Sequence, residues 1–193
     1  QVAFMMGLTR VMMATIEEPQ ALERAIEKRL PFALRWAEEM AEFDPPCVWI
    51  GEGFASSSLM SAHTYKRFVL PYEHIVCDRL RELGIPSIIH ICGKINPILD
   101  MIPETHADCL EADWQVDLVD ARQRIGDRIS IKGNLNTTTL VHGSQSEIYE
   151  LSRQALRTMQ GNPGFILSSG CALGRDTPPE NVDAMLRAAK ESG

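Results

Sequence analysis

The chain has 193 residues, 45% of them hydrophobic and 23% charged, which is enough to bury a substantial core and excludes a disordered tail or a small disulfide scaffold. A formal net charge of −7 excludes nucleic acid as the main partner, because a phosphate-binding surface shows as a basic excess. Five cysteines in no framework spacing, with no signal-peptide pattern and no long uninterrupted apolar span, predict reduced thiols, a cytoplasmic protein and no membrane partner.

The sequence opens Gln1-Val2-Ala3-Phe4 with no initiator Met and enters a helical pattern at once, so a stretch upstream is expected to be missing. Phe4 to Ala14, apolar nearly all round with Met5, Met6, Leu8, Val11, Met12 and Met13, reads as a short buried helix. From Pro19 onward, Leu22, Ile26, Leu30, Ala33, Ala37 and Met40 recur at helical spacing opposite Glu23, Arg24, Glu27, Lys28 and Glu38. Pro31 is expected to kink or split that helix.

Cys47 to Ile50 is a short apolar strand that runs into Gly51, Glu52 and Gly53. A helical pattern follows from Tyr65 to Leu83, interrupted by Pro71 and stopped by Gly84. Then come a strand at Ser87 to Ile91, a helix around Ile95 to Ile102, a strand at Asp108 to Glu111 and a helix from Leu118 to Ile125 ended by Gly126. Arg128 to Lys132 reads as a strand with Gly133, Asn134, Leu135 and Asn136 as its exit loop. Ser144 and Glu147 form a capping box before the next helix. Gly164 to Leu167 is the last strand, and Thr177, Pro178, Pro179 and Glu180 open the final helix with Thr177 as its N-cap.

Five strands, each followed by a helix, argue for an α/β fold with a parallel sheet in a single domain over residues 1–193. The sheet is either open and doubly wound or a (β/α) barrel. A full barrel takes eight units in about 250 residues, so as a barrel this chain would be incomplete. Its two unpaired sheet edges would favour association with a partner or a second copy.

Polar residues collect where the strands end: Glu52, His90 with Cys92, Glu111 with Asp113, Asn134, and then Cys171. In a barrel these ends share one rim, where active sites of that fold lie. A strand sends residues i and i+2 to one face, so His90 and Cys92 project together. Cys171 follows another strand, and His, Cys and Cys with an open fourth position are the donor set of a catalytic zinc. The rival reading is packing, since a buried free cysteine behaves as a small hydrophobe. Cys47, Cys77 and Cys109 are read that way, and His63, His74, His106 and His142 as surface or structural residues.

H-I-C-G at His90 to Gly93, K-G-N-L at Lys132 to Leu135, G-C-A-L-G-R-D-T-P-P-E-N-V at Gly170 to Val182 and S-A-H-T-Y-K-R-F-V-L-P-Y at Ser61 to Tyr72 resemble the uroporphyrinogen decarboxylase family. The resemblance covers most of the chain. It implies the C-terminal part of a TIM-type (β/α)8 barrel, with the N-terminal strands lacking. The family holds metal-free decarboxylases and a methyltransferase branch that uses zinc to activate a thiol, which takes a methyl group from a corrinoid.

That branch carries H-x-C and a later Cys as metal ligands, which map onto His90, Cys92 and Cys171; G-C-A stands here where decarboxylases have G-H-G. The resemblance therefore implies a zinc- and corrinoid-dependent methyltransferase acting on a thiol such as coenzyme M, with a corrinoid protein or free methylcobalamin as donor. The alternatives are uroporphyrinogen decarboxylation and a metal-free corrinoid-protein docking module. Glu52 is expected to be a fourth ligand or to orient His90, Asp113 to serve catalysis, and Asn134 to contact the cofactor. Asn136 is a departure, since many members have Asp there.

Overall fold

The five apolar runs pair as one sheet. In the computed structural model, which describes residues 2–162 and 164–192, strands β1 (Val48–Gly51), β2 (Ser87–Ile91), β3 (Cys109–Ala112), β4 (Ser130–Leu135) and β5 (Phe165–Ser169) lie side by side in chain order. Every neighbouring pair is parallel. A doubly wound sheet reverses its order at a switch point. This sheet advances strand by strand without reversal, as an arc of a (β/α) barrel does.

The strand pleat divides the sheet into two faces. Ile89, Ile91, Leu110, Ala112 and Ile131 point to one face, each fully buried. They pack with residues of α4 (Ala62–Phe68), α5 (Leu70–Glu82), the 3-10 segment Asn96–Thr105 and α6 (Leu118–Ile125), among them Tyr65, Leu70, Ile98, Leu99, Ile102 and Ile125. Burying each such aliphatic side chain contributes about 1.5–3 kcal/mol. The registers Gly51↔His90, His90↔Glu111, Glu111↔Lys132 and Lys132↔Ile166 run as one row across the other face. His90 and Glu111 in the middle of that face are buried, whereas Trp49 and Ile166 at its margins are about half exposed (50% and 49%).

Smaller apolar clusters complete the layer. Leu135, Leu140, Ile148, Ala184 and Met185 join α7 (Thr137–His142), α8 (Gln145–Thr158) and α9 (Pro179–Lys190) to the end of β4. Ala37, Val48, Leu80 and Ile85 join α3 (Pro19–Ala41) to β1 and α5.

Several expectations change. The apolar opening stretch forms two helices, α1 (Val2–Met6) and α2 (Leu8–Glu17), separated at Gly7. It is not buried: Phe4 is 83% and Met5 67% exposed, and only Val11 is buried in α2. One side of these helices packs on Leu22, Phe68, Ile26 and Val69, and the Phe4 ring meets Phe54 with centroids 5.3 Å apart, while the other side faces solvent. α3 continues through Pro31 as one helix, whereas the break before Pro71 appears at Val69, between α4 and α5.

Gly133, Asn134 and Leu135 belong to β4 rather than to its exit loop, because β5 is long enough to pair with them. Helix α7 was hidden by three successive threonines with poor helix propensity. Asn136 starts it: its side chain accepts from Thr138 N at 2.8 Å. Asn and Asp are equally good N-caps, which accounts for the departure at this position. Thr177 makes no cap; the N-cap of α9 is Pro178.

Candidate metal centre

Three side chains converge at the ends of β2 and β5. A ring nitrogen of His90 and the Sγ atoms of Cys92 and Cys171 lie within 4.8 Å of one another, with His90 Nε2 3.2 Å from Cys92 Sγ and the two sulfurs 3.8 Å apart. Two glycines allow this approach. A Cβ at Gly93, where φ is +76°, would stand 2.9 Å from Ser56 Oγ; a Cβ at Gly170 would stand 2.5 Å from Trp114 N. Only a glycine lets the exit of β5 pass that close to the loop after β3.

The donor set fits zinc. His90 Nδ1 lies 3.1 Å from the Glu111 carbonyl, which can only accept, so Nδ1 carries the proton and Nε2 presents its lone pair to the two sulfurs. Burial, reinforced by Lys132 and opposed by Asp113, lowers the His90 pKa and keeps the ring neutral. Two thiolates bound tetrahedrally at about 2.3 Å from zinc would stand roughly 3.8 Å apart, which matches the observed separation. Burial, together with the adjacent Cys171 and Asp113, pushes the Cys92 thiol up to about 11. A cation is what the Cys92 sulfur needs in order to ionise.

Glu111 orients the histidine. Its Oε2 accepts from Trp49 Nε1 at 2.6 Å and lies 3.3 Å from His90 Nδ1, while its Oε1 pairs with Lys132 Nζ. The Trp49 ring stacks on His90 with centroids 5.6 Å apart. Trp49 and Lys132 were not foreseen in the site. The signal was present in the pleat, which puts 49, 90, 111 and 132 on one face once the registers are known.

Glu52 is placed elsewhere. Its backbone N–H donates to the His90 carbonyl at 2.8 Å, but its carboxylate is outside the cluster of ligand atoms. Gly51 is the residue that pairs with His90. Glu52, one residue on, turns to the opposite face and into an apolar cavity of about 450 Å3 between α2, α3, β1 and α5, which Glu73 also lines. The orienting role expected of Glu52 therefore falls to Glu111. Asp113 is buried beside the cluster, accepts from Gln115 N at 3.1 Å, and its charge acts on both His90 and Cys92. Asn134 donates both amide hydrogens to backbone, at Asp113 O (3.1 Å) and Val116 O (2.7 Å), and so braces the turn that carries Asp113.

The Glu52 cavity carries a pH dependence. Glu73 is buried, its Oε2 accepts from the Tyr65 hydroxyl, and burial together with Glu52 raises its pKa to about 8 against the Tyr65 bond. An unfolded glutamate ionises near pH 4.3. Between about 4.3 and 8 the folded state holds the extra proton, so stability falls as pH rises through that window and levels off above it. Glu73→Gln keeps the shape without the charge and is expected to lessen the slope, leaving the part that the buried Glu52 carries, and to be more stable than wild type at pH 8.5 by up to about 5 kcal/mol. Urea melts at pH 5.5 and 8.5 measure it, and equal pH slopes in the two proteins would refute it.

Among known proteins, the model of the uroporphyrinogen decarboxylase (URO-D) family matches residues 2–192. A methylated-thiol–coenzyme M methyltransferase of Methanosarcina mazei is 30% identical over 187 residues, 96% of this chain and 49% of that protein. A uroporphyrinogen decarboxylase of Trichodesmium erythraeum is 35% identical over 134 residues, 68% of this chain and 37% of that protein. The methylcobamide:CoM methyltransferase MtbA of Methanosarcina acetivorans is 28% identical over 160 residues, 82% of this chain and 46% of that protein. A solved methyltransferase from Methanosarcina mazei superposes with a TM-score of 0.87 at 25% identity, covering 96% of this chain and 53% of that one. The chain thus spans about half the length of these curated relatives or less. No described helix is long and apolar enough to cross a membrane.

Proposed function

The chain belongs to the uroporphyrinogen decarboxylase family, and on that premise we propose that it serves the transfer of a methyl group from a methylated corrinoid to a thiol of the coenzyme M type, with zinc held by His90, Cys92 and Cys171. The observation that carries this reading is the convergence of those three ligand atoms within 4.8 Å. Two relatives named as coenzyme M methyltransferases support it. Zinc bound there would supply a positive centre at which an incoming thiol loses its proton near neutral pH.

The chain's own residues do the rest. Neutral His90 offers Nε2 because its Nδ1 proton is fixed on the Glu111 carbonyl. Cys92 and Cys171 contribute two negative charges as thiolates, which would keep the sulfur of a bound substrate electron-rich. Asp113 adds a third negative charge behind them, acting on both His90 and Cys92. Trp114, which follows Asp113, and Leu173, two residues after Cys171, are exposed and give the rim an apolar surface for a large planar donor. Asn134 has its side-chain carbonyl oxygen left to offer the cofactor.

A second reading, metal-free uroporphyrinogen decarboxylation, is favoured by one observation, the 35% identity to the decarboxylase of Trichodesmium erythraeum. The two are separated by offering the protein methylcobalamin with coenzyme M and, in parallel, uroporphyrinogen. Loss of the cobalt-bound methyl group that requires both protein and thiol is expected. Carbon dioxide release from uroporphyrinogen without methyl transfer would overturn the proposal in favour of the second reading.

A further inference from the structure

A second group of potential ligands lies on the outer helical layer. His74 and Asp78 are one turn apart on α5, and His106 follows the 3-10 segment Asn96–Thr105 just before β3. One ligand atom from each lies within 4.8 Å of the others. His74 Nε2 is 3.2 Å from Asp78 Oδ2, His106 Nδ1 is 2.7 Å from Asp78 Oδ1, and the two imidazole centroids are 4.1 Å apart. The side chains are 39%, 40% and 43% exposed, so solvent reaches them.

Two features of this cluster go beyond proximity. His74 Nδ1 lies 2.9 Å from the Glu104 carbonyl, which can only accept, so Nδ1 carries the ring proton. In the neutral ring, Nε2 then turns its lone pair on a carboxylate oxygen 3.2 Å away. That arrangement is repulsive unless something positive, a proton or a metal ion, sits between the two atoms. His106 meanwhile adopts φ +62°, a left-handed conformation that costs a residue with a β-carbon roughly 1 kcal/mol or more, and from there its ring meets both partners. The surrounding charge is balanced rather than uniformly basic: Arg81 Nη1 is 3.7 Å from Asp78 Oδ1, but the same guanidinium also reaches the His106 carbonyl and Asp108.

We propose that His74, Asp78 and His106 bind a divalent transition-metal ion of the zinc class, independently of the His90 cluster, and so clamp α5 to the turn that leads into β3. Two imidazoles and one carboxylate are a donor set that zinc, cobalt and nickel accept, with water completing the coordination. Spacing left this group unread because His106 lies twenty-eight residues after Asp78, and only the fold brings it to the pair on α5.

The test is equilibrium dialysis of the full chain against micromolar Co2+, comparing wild type with His74→Ala and with Asp78→Asn. Circular dichroism confirms the fold of each variant. One equivalent less cobalt is expected in both variants, with the intense thiolate-to-cobalt absorption of the cysteine site left unchanged, because a nitrogen and oxygen site contributes only weak bands. Equal cobalt in wild type and either variant would assign the position to a proton and overturn the proposal. The comparison is a difference between proteins that share the His90 cluster, so it stands whether or not that cluster binds metal.

Discussion

Replacing Cys171 by serine should strip the centre of its metal and bring thiol methylation close to background. Structural zinc sites release roughly 10–16 kcal/mol on binding through four ligands, so losing one thiolate removes on the order of 3 kcal/mol, a 100- to 1,000-fold loss of affinity. The remaining donors, His90 Nε2 and Cys92 Sγ at 3.2 Å, are two ligands where a catalytic zinc needs three. Elemental analysis of chelator-free protein should find one zinc fewer per chain in Cys171→Ser than in wild type, and the demethylation rate of methylcobalamin should fall to the protein-free background.

Cys109 is the internal comparison. It is a buried cysteine on the same face of the sheet, two residues before Glu111, but outside the ligand cluster. Cys109→Ala should keep its zinc. If Cys171→Ser retained the wild-type zinc content, the assignment of Cys171 as a ligand would fail, and with it the zinc mechanism.

The parts of this architecture that depend on local chemistry could be read from residues alone. Ser87–Ile91 and Leu118–Ile125 are bounded by turn and stop residues, and the structure gives those bounds. His90 and Cys92 share a face because a strand has period two, and this holds whatever the rest of the fold does. What could not be read depends on register. That Glu111 rather than Glu52 supports His90 follows from the pairings Gly51↔His90 and His90↔Glu111, and register between strands separated by a whole helix leaves no local trace. The choice between barrel and open sheet was hidden for the same reason, since strand order is a long-range property. The opening helices were misjudged because an apolar pattern reports what a helix can bury, not whether something covers it.

The second large effect is expected at Glu111. Its carboxylate is buried and serves three groups at once: Trp49 Nε1, Lys132 Nζ and His90 Nδ1. Glu111→Leu would leave the Lys132 ammonium and the indole N–H without their acceptor. Breaking a buried pair in this way costs about 3–5 kcal/mol; Lys132 retains some access to water, with a quarter of its side chain exposed, so a loss nearer 2–3 kcal/mol is expected. Metal affinity should fall by about 10-fold, the lower end of what removing such an orienting partner does, because the Glu111 backbone carbonyl still holds the Nδ1 proton.

These two losses have different origins, and a second substitution separates them. Glu111→Leu with Lys132→Met replaces the pair by apolar groups of similar size, which is close to neutral for folding. Urea melts should therefore show most of the stability restored in the double variant. Zinc competition with a chelator should show its affinity still reduced, since the double variant lacks the carboxylate that lies 3.3 Å from His90 Nδ1. Recovery of both would mean that Glu111 serves only to neutralise Lys132, and that the backbone carbonyl alone orients the metal-facing ring.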